Sequence, residues 1–118
     1  MTGIEAVLLL LSLADSKSKP ACKGNPALAG ACFTFRGRLR TYNGNPTFRI
    51  WRIGTKRILG VTGARPGEEP ILPEGVACGF DCDVFARFEV CPFRNPEPGV
   101  MQRVCVEAVT DRVTVQAK

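Results

Sequence analysis

Residues 33–40 read Phe33-Thr34-Phe35-Arg36-Gly37-Arg38-Leu39-Arg40, apolar or small at every odd position and polar at every even one. A period of two sends alternate side chains to opposite faces, so this stretch is a strand with one apolar face and one basic face. The same reading extends outward in both directions. Tyr42-Asn43-Gly44-Asn45-Pro46 holds an Asn-Gly turn dipeptide, with Pro46 opposing any helix. Thr47–Ile53 (TFRIWRI) is rich in β-formers, and Gly54-Thr55-Lys56 supplies a tight turn into Arg57–Thr62 (RILGVT). Further along, Val84–Phe93 (VFARFEVCPF) and Met101–Val109 (MQRVCVEAV) are joined by Arg94–Val100 (RNPEPGV), and Arg112–Gln116 forms a tail strand.

Five short β segments, with a long connection between the third and fourth, predict an all-β fold: a small five- to six-stranded antiparallel barrel. The coarse layout of 32–42, 47–62, 84–93 and 101–109 resembles an OB-type barrel, and a β-sandwich is the alternative. The 118 residues, 45% hydrophobic and 23% charged, suit one globular core rather than a disordered chain. The expected organisation is a signal-like apolar segment 1–14, a flexible N-terminal segment 15–31, and one β domain 32–118.

Ile4–Ala14 (IEAVLLLLSLA) has the length of a secretory apolar core and is too short for a stable membrane span. Ser12-Leu13-Ala14 sets small residues before a cleavage point at Asp15, although Met1–Glu5 carries no Lys or Arg. Six cysteines in so short a chain fit an exported protein with disulfides. The expected location is therefore periplasmic or secreted, with a cytoplasmic protein as the alternative. Aligning Val90 with Val106 and Phe88 with Ala108 sets Cys91 opposite Cys105, so those two are the expected bridge. Cys22, Cys32, Cys78 and Cys82 still allow several pairings, including Cys22 with Cys32 or either with the loop that follows the third strand.

That loop, 63–83, contains Pro66, Pro70 and Pro73, and its Glu68, Glu69, Glu74, Asp81 and Asp83 meet only Arg65. A structureless connection this long is commonly functional.

No histidine is present, which removes His-dependent triads, imidazole bases and His-ligated zinc. No pair of cysteines has the two-residue spacing of thiolate zinc or thioredoxin-like chemistry, and the loop acids lack a calcium-binding pattern. No metal, cofactor or catalytic residue is expected. Glu89 and Glu107 face each other in the assumed register, with Arg87 and Arg103 beside them, as in a charged surface ladder rather than a two-carboxylate hydrolase site.

The positive signal is basic and aromatic: Arg36, Arg38, Arg40 and Tyr42 on the first strand, with Arg49 and Trp51 on the second. Guanidinium groups bind phosphate or carboxylate in bidentate fashion, and rings offer stacking surfaces. A net charge of +5 agrees with an anionic partner. Two stretches, Arg49–Val61 (RIWRIGTKRILGV) and Phe88–Ala108 (FEVCPFRNPEPGVMQRVCVEA), resemble small exported bacterial proteins of uncharacterised function. That resemblance implies export and a shared β scaffold, and assigns no functional residue. The leading expectation is an exported, disulfide-stabilised, non-enzymatic β domain that binds an anionic polymer or envelope protein. A cytosolic nucleic-acid-binding barrel, less favoured, and an exported enzyme or inhibitor acting through 63–83 are the alternatives.

Overall fold

The computed structural model describes residues 22–65 and 68–116. The signal-like segment 1–14, residues 15–21 of the N-terminal segment, Pro66, Gly67 and the last two residues lie outside the described residues. The described chain is all-β: β1 (Phe33–Thr41), β2 (Phe48–Arg52), β3 (Ile58–Thr62), β4 (Cys82–Pro92) and β5 (Gln102–Gln116). They hydrogen-bond in one closed ring, in the order β1-β2-β3-β5-β4 and back to β1. A single sheet of five strands bonded in a ring accords with the small all-β fold expected.

The ring is mixed, which corrects the antiparallel expectation: Leu59–Thr62 of β3 runs parallel to Gln102–Cys105 of β5. The reason is parity. Antiparallel neighbours must alternate in direction, and an odd number of strands cannot alternate all the way around a closed ring. The tail strand expected at 112–116 is the far half of β5, so no sixth strand forms among the described residues. β5 is long enough to pair with β3 at its start and with Cys82–Phe85 of β4 at its end.

Two register shifts bend the β4–β5 ladder, one between Phe85 and Arg87 and one between Glu89 and Val90. Val90 is opposite Val106 and Cys91 opposite Cys105, but across the Glu89/Val90 irregularity Phe88 meets Val109 instead of Ala108.

The inward face of the opening stretch fills the ring. Phe35 and Leu39 are buried with Ile50, Leu59, Val61, Val84, Phe88, Val104 and Val106. Gly37 faces the same way, and a Cβ there would lie 2.6 Å from Ile50 Cγ2 and 3.0 Å from the Trp51 carbonyl oxygen. Only a hydrogen fits between those two strands.

The connection after β3 shares in this core. Val76 is 1% exposed inside the main cluster and Leu72 packs against it, which draws the loop over the end of the ring where β3 stops and β4 starts. Cys82 and Asp83, counted with the loop from sequence, are the first residues of β4 and are buried.

The expected Cys91–Cys105 bridge does not form. The bonds are Cys22–Cys105, Cys32–Cys91 and Cys78–Cys82. Cys91 and Cys105 are opposed across the ladder as expected, yet the segment before β1 crosses beside them and brings a thiol to each. Cys22 is fully buried with Leu28 and Phe93 packed nearby, and Ala29 N–H donates to the Pro92 carbonyl at 2.9 Å. Residues 22–31 are therefore docked on the domain, not a flexible lead-in.

Candidate functional site

β1 alternates, so Arg36, Arg38 and Arg40 share its outer face. The registers extend each position into a row. Arg36 is opposite Arg87; Arg38 lies between Phe85 of β4 and Trp51 of β2; Arg40 lies between Asp83 and Arg49. All six residues singled out from sequence thus lie on neighbouring strands or on the turn between them. Phe85 and Arg87 join them from β4. Those two were missed because the alternation in VFARFEV says which residues share a face, but not which strand lies alongside.

The arginines are in different electrostatic states. Arg40 is neutralised: its Nε and Nη2 donate to the two Asp83 oxygens at 2.8 and 2.6 Å. That fork of charge-assisted bonds holds the Asp83 carboxyl below its usual range and raises Arg40. Arg40 is therefore a structural clamp, which removes it from the expected binding set.

Arg38 lies over the Trp51 ring, 5.1 Å from its centroid, with its buried Nε lacking a hydrogen-bond partner. Arg49 lies over the Tyr42 ring at 4.3 Å while its Nε donates to the Pro46 carbonyl at 3.0 Å. Trp51 is half-buried on the outer face, with its indole N–H donating to the Thr55 carbonyl at 2.7 Å. Arg36 and Arg87 are both exposed. Among the described residues, Arg36, Arg38, Arg49 and Arg87 have no carboxylate partner. Like charges directly opposite one another on strands are mutually unfavourable, and Arg36 and Arg87 are such a pair.

Elsewhere the acidic groups are dispersed or engaged. Glu89 and Glu107 do not pair with Arg87 and Arg103; both converge on Lys23. Its ammonium lies 3.0 Å from Glu89, and its backbone N–H donates to Glu107 at 3.1 Å. The Glu89 contact raises the Lys23 pKa. Cys22, Cys91 and Glu107 form the one cluster of metal-ligand type among the described residues, but both sulfurs are committed to disulfides. The loop acids do not converge on a common point among the described residues. Neither thiolate chemistry nor a carboxylate pair is assembled there.

No helix among the described residues is long and apolar enough to cross a membrane. No protein-family model, curated protein or solved structure matches the chain.

Proposed function

We propose that this is an exported, non-enzymatic binding domain whose outer β1–β2–β4 face takes an anionic polysaccharide. The observation that carries this reading is the set of four guanidiniums, Arg36, Arg38, Arg49 and Arg87, on adjoining strands with no carboxylate partner among the described residues. Three disulfides suit an oxidising compartment, and the resemblance of 49–61 and 88–108 to small exported bacterial proteins supports export.

The geometry favours a sulfate- or carboxylate-bearing polymer over single-stranded nucleic acid. Base recognition without sequence preference needs open aromatic platforms. Here Trp51 and Tyr42 each already carry a guanidinium on the ring, so the face presents cations ahead of π-surfaces. Rings beneath the cations also hold them in place, which lowers the entropy lost on binding.

The test is retention on immobilised heparin against a single-stranded oligonucleotide column, for the oxidised protein and for Arg36→Ser/Arg38→Ser/Arg87→Ser. Heparin elution should require less salt for the triple variant, and the oligonucleotide should be held more weakly than heparin. Unchanged heparin retention of the variant defeats the reading, and stronger oligonucleotide binding replaces it with the nucleic-acid alternative.

A further inference from the structure

The end of the ring opposite the long loop is built differently. There β1, β3 and β5 begin and β2 and β4 end, and two adjoining concavities of about 290 and 610 Å³ open to the surface. Together they have the size of a small-molecule site.

The smaller concavity is cationic, with Arg52, Arg57 and Arg94 around Phe33 and Asn95. Arg52 shares the inward parity of Ile50, but at the strand end it emerges at the mouth, its guanidinium 5.7 and 5.5 Å from the Phe33 and Phe35 rings. Arg57 donates to Gln102 Oε1, and Gln102 Nε2 donates to the Arg94 carbonyl at 2.9 Å. Gln102 is only 4% exposed, so a buried amide ties the two arginine-bearing segments together.

The larger concavity is mainly apolar, with Ile58, Pro98, Val100 and Met101 on its walls and Lys56 at its margin. Ile58 and Val100 are 39% and 43% exposed, and together on the wall of one concavity they offer apolar surface that a ligand could cover. The 94–101 connection forms a set wall: Val100 N–H donates to the Glu97 carbonyl, and Glu97 and Val100 make a β-bridge. Arg57, Pro96 and Gln102 belong to both concavities. Among the described residues, Glu97, ion-paired to Arg94 at 2.8 Å, is the one acid lining either cavity, against four cations.

We propose that this mouth binds an amphiphilic organic anion, its phosphate or carboxylate head held by Arg52, Arg57 and Arg94 and its apolar body along Ile58, Val100 and Met101. The head replaces Glu97 as the counter-ion of the arginine cluster, where forked N–H donors match either oxyanion. The body covers side chains that are otherwise wet. This site is separate from the outer strand face and does not depend on it.

Calorimetric titration of the intact oxidised protein with decyl phosphate, decanoate, decanol and inorganic phosphate, all below micelle formation, tests the assignment. One or both decyl anions should bind one to one, with the stronger identifying the head group, while decanol and inorganic phosphate each bind at least about tenfold more weakly, the effect of losing about 1.4 kcal/mol. Arg52→Gln/Arg57→Gln should weaken the decyl anions by about tenfold or more. Val100→Asp, at an exposed position that does not endanger folding, should weaken the decyl anions by a comparable factor. The triple serine variant of the outer face should bind like the native protein. Absence of binding by both decyl anions, equal binding of decanol, or full binding by either mouth variant overturns the proposal.

Discussion

Removing the Cys22–Cys105 bond measures how the N-terminal segment is held, and its cost follows from the nesting of two disulfides. In the chain-entropy account a cross-link stabilises by restricting the unfolded chain, more so for longer loops. Cys32–Cys91 closes a separation of 59 residues and Cys22–Cys105 one of 83, which taken singly correspond to about 4.2 and about 4.5 kcal/mol. The two are not independent. With Cys32–Cys91 intact, the second ring runs only through the residues between Cys22 and Cys32 and between Cys91 and Cys105, about 24 in all, so its bond adds about 3.4 kcal/mol. Cys22→Ala/Cys105→Ala should therefore lose about 3 kcal/mol, a shift of about 1.5 M in urea midpoint at an m-value of about 2 kcal/mol/M. Pairing is checked on the native protein by non-reducing tryptic mapping. Residues 18–23 should be joined to 104–112, and 24–36 to 88–94, each containing one bonded cysteine. A cross-link between 88–94 and 104–112, or an unchanged midpoint in the double variant, would refute the argument.

Three further outcomes follow from the packing and the ion pair. Asp83→Asn breaks the Arg40 clamp and should cost about 1–2 kcal/mol, since bonds to charged groups are worth about 1.5–3 kcal/mol and Arg40 is partly exposed to screening solvent. Because folding lowers the Asp83 pKa, its contribution is present above the unfolded carboxylate range and is lost as pH falls through the folded value. The stability gap between native and Asp83→Asn proteins in urea titrations should therefore begin to narrow below about pH 4, and a constant gap down to pH 2 argues against the ion pair. Gly37→Ala forces a methyl against Ile50 and the Trp51 backbone and should destabilise by about 1–3 kcal/mol; a melting temperature unchanged by calorimetry contradicts the close β1–β2 approach. Val76→Ala, in the loop that covers the ring, should cost about 1–3 kcal/mol, whereas a freely moving loop would show no change in thermal midpoint.

Much of the basic outer face was legible because it is local. The alternation FTFRGRLR defines an apolar and a basic side without reference to any other segment, and the period-two pattern is sufficient to make all three arginines neighbours. The same reasoning cannot separate Arg40 from Arg36, since what distinguishes them is the register partner on β4: Asp83 for one and Arg87 for the other. Nor does any sequence pattern unite Arg52, Arg57 and Arg94. Arg52 and Arg57 flank the β2–β3 turn, and Arg94, on a distant loop, joins them only because ring closure brings the start of β5 beside the start of β3.

Short-range chemistry alone accounts for an all-β chain, the positions of its strands and turns, its positive charge, the absence of imidazole chemistry, and thiols in number and spacing that favour disulfides over metal. Folding in three dimensions is needed to set which thiols bond, which arginines lack a carboxylate partner among the described residues, that β3 and β5 run parallel, and that the long loop supplies core at one end while the other end opens into a cationic, apolar-walled mouth. Each of these depends on contacts between residues far apart in the chain, and such contacts are set by register and closure, which no local pattern encodes.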